Sequence, residues 1–283
     1  MIPTSRSPVT LKPMPEPRRP YAKKSLGQNF LIDQNVVEKI IDATGVTKDN
    51  VVIEIGPGRG ALTERLVEGS GKLVAIEVDP HLVRELRQRF ARCSNFEICE
   101  SDVLAVDFNK LLSNLKSEIS NLKSTKLVAN LPYYISTAIL QRLAEQRNCF
   151  STLVLMLQRE VVERIVAEPG NSERGYLTVI AEAAFVVEKL FDVSPDAFQP
   201  KPKVWSSVVR LTPKPKDIVD KSAFRDLISA AFKHKRKTIL NNLKTDYSKV
   251  LEALYDAGVA ANRRAESLSL NEWKALFQII DAK

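Results

Sequence analysis

Residues 51–66 read VVIEIGPGRGALTERL and predict a strand, a glycine turn and a helix in immediate succession. The apolar run at 51–55 is typical of a buried strand, and residues 61–67 have the spacing of a helix. Gly56, Gly58 and Gly60 lie between them, where glycine lets the backbone approach a ligand at the positive end of a helix. The pattern of Gly56, Gly58 and Ala61 also fits a dinucleotide-binding turn. The stretch therefore predicts an α/β fold with a ligand at this turn, and it leaves the ligand open.

Strand and helix patterns alternate on both sides of this unit. Such alternation is typical of a parallel sheet that is covered by helices on both faces. The expected strands span residues 51–55, 73–78, 96–99, 127–129 and 153–157, with two further strands near 183–187 and 204–211.

The two ends of the chain follow different patterns. The first 24 residues contain six prolines and several basic side chains against a single acid, Glu16, which predicts a disordered basic arm. After Pro213-Lys214-Pro215 only helical spacing remains, which predicts a small helical domain behind a proline linker. We therefore divide the chain into an arm at 1–24, a Rossmann-like domain at 25–213 and an all-helical domain at 214–283.

Composition narrows the class of protein. A formal net charge of +8 over 283 residues indicates a polyanionic partner, either nucleic acid or an anionic membrane surface. No apolar run of about 18 residues occurs, so no transmembrane helix is expected. Three cysteines without C-x-x-C spacing favour a reducing compartment, and two distant histidines leave no metal site to expect. We expect a cytoplasmic protein. An organellar transit peptide in the arm is the alternative, although its prolines disfavour an amphipathic helix.

Polar side chains follow the ends of several expected strands. Glu77 lies 21 residues after Gly56, where an acid can accept hydrogen bonds from ribose hydroxyls. Asp102 follows the next strand and could accept from an adenine amino group, although an Asp here is also a common helix cap. Asn130 directly follows the strand after that. Because open α/β sheets bind ligands at the carboxyl ends of their strands, these side chains predict one binding site.

Asn130-Leu131-Pro132-Tyr133 has the groups needed to hold an aromatic amine. An exocyclic amine of adenine or cytosine is a poor nucleophile because its lone pair is delocalised into the ring. The Asn130 amide oxygen and the Leu131 carbonyl could both accept from its hydrogens, and Pro132 would stiffen the turn. Tyr133 offers a ring on which the base could stack. A simple Asn-x-Pro turn that caps a helix is the alternative.

The ordered set of motifs resembles the KsgA-type small-subunit ribosomal RNA adenine dimethyltransferases. The resemblance runs from about Lys24 to the last helix and rests on KSLGQNFLID, VIEIGPGRGALT, VAIEVD, SDVL, VANLPYYIST, LQREVVERI, AFQPKPKVWSSVVRL and AFKHKRKTILNNL. It implies a Rossmann-like class I S-adenosylmethionine-dependent methyltransferase domain, with seven strands of which the last is antiparallel, and a smaller C-terminal helical RNA-binding domain.

The resemblance also implies roles for individual residues. S-adenosylmethionine would be the methyl donor, and Asn130 to Tyr133 would hold the target adenine while Phe198 closes over its other face. Trp205 departs from the family pattern, in which a small or acidic residue is usual. The implied donor-binding residues are Asn29, Leu31, Gly56, Gly58, Glu77, Asp102 and Asn130; the implied catalytic residues are Asn130, Leu131, Pro132, Tyr133 and Phe198.

The implied activity is dimethylation of N6 on two adjacent adenosines in a loop near the 3′ end of small-subunit (16S) ribosomal RNA. The substrate would be an immature ribosomal subunit and the enzyme a monomer without membrane contact. Three alternatives remain. The first is a nicotinamide oxidoreductase, which the glycine turn also suits. The second is a methyltransferase of large-subunit RNA, like the family's distant relatives that give erythromycin resistance. The third is an RNA-binding assembly factor that uses the same fold without catalysis.

The segment AFKHKRKTILNNL, residues 231–243, predicts an RNA contact in the helical domain. On one straight helix Lys235 would fall within the apolar stripe of Ile228, Phe232 and Ile239, so we expect a break or kink near residues 233–236. A solvated basic face without a specific role is the alternative. The break would present a cluster of cations to phosphates: Lys233, Lys235, Arg236 and Lys237.

Overall fold

A computed structural model describes residues 27–115 and 121–282 of the chain. The predicted arm at 1–24 lies outside these residues. The strands are β1 (Phe30–Leu31), β2 (Asn50–Ile55), β3 (Lys72–Glu77), β4 (Phe96–Glu100), β5 (Ser124–Asn130), β6 (Thr152–Gln158), β7 (Phe185–Val193), β8 (Phe198–Gln199) and β9 (Ser206–Pro213).

Seven of these strands form one sheet in the order β4-β3-β2-β5-β6-β9-β7. The first five run parallel, whereas β9 pairs antiparallel with both β6 and β7. This is the Rossmann-like class I methyltransferase sheet that the resemblance implies, with its last strand antiparallel. The fold class predicted from the sequence is confirmed.

Helices cover both faces of the sheet because successive side chains of each central strand point to opposite faces. Val52, for example, belongs to an apolar cluster with residues of the helices at 34–44 and 61–69, while Ile53 belongs to a second cluster with residues of those at 136–145 and 159–165. The helices are α1 (Gln34–Thr44), α2 (Ala61–Gly69), α3 (Pro80–Arg89), α4 (Phe108–Asn114), α5 (Ser136–Glu145), α6 (Arg159–Ile165), α7 (Tyr176–Ala184), α8 (Ser222–Ala231), α9 (Ile239–Leu243), α10 (Val250–Asp256) and α11 (Leu270–Asp281).

Two of the expected strands begin later than predicted. Residues 183 and 184 close α7, and β7 starts directly at Phe185. Neither glycine nor proline separates the helix from the strand, so the sequence offered no boundary. Residues 204 and 205 likewise precede β9, which begins at Ser206. A short antiparallel pair was not predicted at all: β1 pairs with β8, with Leu31 opposite Phe198.

The helical segment after Pro213 shares its core with the sheet domain. Phe224 and Trp273, both fully buried, belong to the same apolar cluster as Ile53 and Leu155 of the sheet. Arg147, only 1% exposed, pairs with Asp220 and donates to the backbone carbonyls at 214 and 215. The proposed boundary at 213 and 214 coincides with the end of β9, and the two segments are packed together. Across residues 27–115 and 121–282, no helix has the length and apolar character needed to cross a bilayer.

Candidate active site

A cavity of about 260 Å³ opens at the carboxyl edge of the parallel strands. Its wall is built from the segments that follow β2, β3, β4 and β5, together with the chain from Gly27 to Leu31. The sequence predicted that polar groups at these strand ends would converge, and the structure brings them together. The predicted residues that line the cavity are Asn29, Leu31, Gly56, Gly58, Glu77, Asp102, Asn130, Leu131, Pro132 and Tyr133.

Side chains would be strained in the glycine turn between β2 and α2, because its glycines have left-handed backbone conformations. Gly58 has φ +58°, and a Cβ there would lie 3.0 Å from the ring of Phe30. At Gly56, with φ +65°, the nearest atom to a built Cβ is the backbone oxygen of Asn130 at 3.8 Å. The turn is thus in close contact with the segment that ends β5, and glycine leaves its backbone open to a ligand.

Glu77 is 6% exposed and organises the turn after β3. Its carboxylate accepts from the backbone N–H groups of Val78 and Asp79, both at 2.9 Å, and from that of Gly58 at 3.3 Å. Burial raises the pKa of Glu77, and these backbone hydrogen bonds oppose the rise. Glu77 therefore links the glycine turn to the end of β3 and presents an acceptor to the cavity.

Glu54, a second buried acid in the cavity wall, was not predicted from the sequence. It is 1% exposed, and Thr63 Oγ1 donates to its Oε2 at 2.8 Å. Burial raises the pKa of Glu54 to about 8; the Thr63 hydrogen bond lowers it, and the nearby charge of Glu77 raises it. The only signal in the sequence was an acid within the apolar run VVIEI.

Asp102 has the capping role considered from the sequence, and its contact with an adenine stays a prediction. Its Oδ1 accepts from the backbone N–H of Leu104 at 2.9 Å and so caps the short helix at 103–105. The residue is exposed and also lines the cavity. A capping carboxylate has a second oxygen, so this geometry is compatible with a ligand contact.

Asn130 contacts the chain before β1 through its side chain. Its Nδ2 lies 3.2 Å from the backbone oxygen of Asn29. A carbonyl oxygen can only accept, so the amide must turn its NH₂ group toward Asn29 and its Oδ1 the other way. The orientation of the Asn130 side chain is therefore fixed, and its oxygen remains as an acceptor for a ligand amine.

Tyr133 is held at its hydroxyl. Its oxygen lies 2.8 Å from Oγ of Ser206, a fully buried residue at the start of β9. Burial raises the pKa of Tyr133, while the Ser206 hydrogen bond lowers it. The backbone of the motif is also restrained, because the Leu131 N–H donates to the Met156 carbonyl at 3.1 Å. The ring and the backbone carbonyls of the motif thus have defined positions.

Of the residues predicted for donor and base, all of which the structure describes, only Phe198 does not line the cavity. It is 3% exposed and packs in an apolar cluster with Leu31, its partner across the β1–β8 pair. Its predicted contact with a base remains a prediction.

The predicted basic cluster lies on a loop of the helical domain. Helix α8 ends at Ala231 and α9 begins at Ile239, so the predicted break near residues 233–236 is confirmed. Asn242 holds this loop, since its Nδ2 donates to the carbonyls of Ala231 at 2.7 Å and of His234 at 3.2 Å. The predicted RNA-binding side chains are all exposed: Lys233, Lys235, Arg236 and Lys237.

Comparisons with known proteins agree with this geometry. The family model described as ribosomal RNA adenine dimethylase matches residues 20–282. Two similar proteins are named ribosomal RNA small subunit methyltransferase A. The one from Geobacter metallireducens is 42% identical, and the match covers 90% of this chain and 94% of that protein. The one from Koribacter versatilis is 39% identical, and the match covers 92% of this chain and 94% of that protein. A solved dimethyladenosine transferase from Plasmodium falciparum superposes with a TM-score of 0.72 at 27% identity, over 87% of this chain and 95% of that one.

Proposed function

The chain belongs to the family of ribosomal RNA adenine dimethylases, and from this premise we propose that it methylates N6 of two adjacent adenosines near the 3′ end of small-subunit ribosomal RNA. The names of its relatives, at 39% and 42% identity, support the choice of the small subunit. The observation that carries the proposal is the fixed amide of Asn130, 3.2 Å from Asn29 and beside the glycine turn. Methylation of an adenine amine requires an oriented hydrogen-bond acceptor beside the site of the methyl donor, and Asn130 has this position in the proposal.

We infer that S-adenosylmethionine is the methyl donor, because the cavity wall offers groups suited to its ribose and its adenine. Glu77 supplies a buried carboxylate suited to two ribose hydroxyls, and Asp102 an acceptor suited to the adenine amine. The turn at Gly56 and Gly58 leaves room for the methionine end close to the backbone. When bound, the donor supplies a methyl group on a positively charged sulfur, which leaves as a neutral thioether.

The protein's own contribution is to position the adenine. The Asn130 oxygen and the Leu131 carbonyl accept from the two amine hydrogens and favour a more tetrahedral nitrogen. Tyr133 supports the base by stacking, and its ring is fixed through Ser206. Placing two reactants in a near-attack geometry supplies much of the rate in such reactions. No strong base is needed, because the methylated nitrogen is acidic enough to lose its proton to water.

The target base must leave its stack before it can enter the cavity, so a loop in an immature small subunit is the proposed substrate. The exposed cations of the 233–237 loop are proposed to contact its phosphates. We further propose that the enzyme acts as a monomer in the cytoplasm.

The experiment is methylation of purified ribosomal subunits that lack this modification, with radiolabelled S-adenosylmethionine, followed by mapping of the modified bases. We expect label on two adjacent adenosines of the small-subunit RNA. Label on large-subunit RNA would contradict the choice of substrate. Tight RNA binding without methyl transfer would indicate an assembly factor, and a titration that detects NAD but not S-adenosylmethionine would indicate an oxidoreductase.

A further inference from the structure

Trp205 exposes a large aromatic surface close to the active site. The chain has two tryptophans: Trp273 is fully buried in the helical domain, whereas Trp205 is 45% exposed. Tryptophan is highly buried on average in folded proteins, because its ring is among the largest apolar surfaces that a side chain carries. An indole that folding leaves nearly half exposed is therefore available to another molecule.

Arg159 holds the Trp205 segment in place. Its backbone N–H donates to the Trp205 carbonyl at 2.9 Å, and its guanidinium carbon lies 5.9 Å from the centre of the indole ring. This distance is within the range of a cation–π contact. Arg159 directly follows β6 and Trp205 directly precedes β9, so the pair lies at the carboxyl edge of the parallel strands.

The pair is also directly connected to the site for the target base. Ser206, the residue after Trp205, is the hydrogen-bond partner of the Tyr133 hydroxyl at 2.8 Å. If an adenine rests on Tyr133, the nucleotide that precedes or follows it in the strand passes close to the indole. The flat faces of bases and indoles make stacking the favoured contact between them.

Charges around the pair are nearly balanced. Glu163 lies 3.4 Å from the Arg159 guanidinium. Asp192 is also close enough to Arg159 to interact with its charge, and it pairs with Lys189 at 2.8 Å. Lys203 adds one exposed cation. We therefore expect weaker attraction of phosphates here than at the 233–237 loop, and the exposed indole is the main group that this surface offers to a nucleotide.

We propose that Trp205, supported by Arg159, is a stacking subsite for the base of the nucleotide adjacent to the target adenosine. This inference rests on the proposed function, since it requires a single-stranded RNA whose adenosine occupies the Tyr133 site. The subsite is indifferent to base identity, because every base offers a flat face.

The first test compares Trp205→Leu with Trp205→Phe in methylation of unmodified small subunits. Leucine keeps an apolar side chain without an aromatic face, whereas phenylalanine keeps the face. We expect the KM for subunits to rise roughly 5- to 150-fold in the leucine variant, as for one lost base–aromatic stack. The phenylalanine variant should recover most of this loss. Affinity for S-adenosylmethionine and the thermal midpoint should match wild type in both.

Two controls separate stacking from other effects. Tyr255→Leu removes an aromatic side chain that is 85% exposed in the helical domain, and it should leave the KM unchanged. The slope of log affinity against log salt should also stay unchanged in Trp205→Leu, because no phosphate contact is lost. Equal KM values for wild type and Trp205→Leu would overturn the proposal, as would a phenylalanine variant no better than leucine.

Tryptophan fluorescence gives an independent readout. Because Trp273 is buried, a bound base that stacks on Trp205 should quench mainly the exposed indole. We expect a fragment of small-subunit RNA that contains the target loop to quench emission in wild type but not in Trp205→Phe. If saturating RNA leaves the tryptophan emission of wild type unchanged, the proposed stacking of a base on Trp205 is wrong. A wild-type protein that neither binds nor methylates small-subunit RNA would overturn the proposed function, and this inference with it.

Discussion

The side-chain amide of Asn130 donates to the backbone carbonyl of Asn29 at 3.2 Å, across 101 residues of sequence. This bond joins the GQNFL segment to the NLPY segment and sets which end of the amide faces a ligand. An acceptor that is oriented before the substrate arrives needs no reorganisation during the reaction. Asn130 therefore links the two segments through its NH₂ group, and its oxygen is the proposed acceptor for the adenine amine.

Replacement of Asn130 by alanine should remove methyl transfer while leaving donor binding nearly intact. Loss of one preorganised polar contact at a reacting centre commonly lowers the rate about 100- to 1,000-fold. The measurements are single-turnover methylation of small subunits and calorimetric titration with S-adenosylmethionine. Asn35→Ala, at an exposed position of α1, is the control and should behave as wild type. Near-normal turnover in Asn130→Ala would exclude the proposed role.

Replacement of Glu77 by glutamine should weaken donor binding. Alanine would be a poor choice, because it would leave three backbone N–H groups of the turn without their acceptor. Glutamine can keep one oxygen for the Val78 and Asp79 N–H groups, and it loses the charge and the second acceptor oxygen. Calorimetry should therefore show a loss of about 1.5–3 kcal/mol, the value of one hydrogen bond to a charged group. Glu85→Gln on the exposed face of α3 is the matched control. Unchanged affinity in Glu77→Gln would remove Glu77 from the donor site.

Glu54 should make the free energy of unfolding depend on pH. Its pKa is about 8 in the folded protein, against an ordinary value of 4.5 for an exposed glutamate, so the folded state keeps a proton that the unfolded state loses. Between these two pKa values the folded protein binds more protons, and stability therefore falls as pH rises. The slope for one proton is at most about 1.4 kcal/mol per pH unit.

The test of this effect is urea unfolding between pH 5.5 and 7.5. Glu54→Gln, which is neutral at every pH and can still accept from Thr63, should flatten the slope. Glu100→Gln, at the exposed end of β4, should leave it unchanged. A wild-type protein whose stability rises over this range, with no change in Glu54→Gln, would contradict a buried neutral Glu54.

Arg147 should couple the unfolding of the helical segment to that of the sheet domain. Its guanidinium is buried and pairs with Asp220, so truncation leaves a carboxylate without its partner. Breaking a buried pair typically costs about 3–5 kcal/mol. Arg147→Ala should lower the free energy of unfolding by this order, measured by urea unfolding with circular dichroism. Lys221→Ala breaks the exposed pair with Asp281 and should cost less than about 1 kcal/mol.

The shared core leads us to expect one unfolding transition, seen equally in circular dichroism and in the Trp273 fluorescence of the Trp205→Phe variant. Two separate transitions would indicate that the segments before and after Pro213 fold independently. In that case the boundary at 213 and 214 would separate two units that unfold independently, and not only two sequence patterns.

The sequence predicted the fold where local patterns were strong. The buried parallel strands appear as apolar runs, and the serine and glutamate three residues apart at Ser269 and Glu272 have the sequence pattern of the capping box that starts α11. The pairing of β1 with β8 could not be predicted, because two-residue strands have no detectable period and their partners lie far apart in sequence. The direct passage from α7 into β7 was missed because no glycine or proline marks it.

Those site residues that lie at the ends of strands could be predicted from the sequence. Glu77 and Asn130 end β3 and β5 and Asp102 lies two residues after β4, so the parallel topology alone brings them to one edge. Glu54 was missed because it lies within β2, where its burial depends on Thr63 and on the packing of α2. The contact between Trp205 and Arg159 joins residues 46 positions apart, and neither residue type indicates the other.

The basic loop at 233–237 should determine how strongly RNA binding depends on salt. Asn242 holds the loop at both Ala231 and His234, so the exposed cations extend from a fixed backbone. Each phosphate contact that is lost should flatten the slope of log affinity against log salt by about 0.7 for single-stranded or about 0.9 for duplex RNA. Neutralising Lys233, Arg236 and Lys237 together should thus flatten the slope by roughly two to three.

The measurement is binding of wild type and of a Lys233→Gln, Arg236→Gln, Lys237→Gln variant to small subunits across a salt series. The triple variant should bind more weakly at low salt and approach wild type at high salt. Phosphate contacts gain affinity from the release of counterions, and this gain falls as the salt concentration rises. Affinity for S-adenosylmethionine should not change, since the loop is not part of the cavity wall. A control that removes equal charge at the exposed Arg84, Arg87 and Arg92 should keep the wild-type slope. Equal slopes for the loop variant and wild type would mean that the 233–237 cations only face solvent.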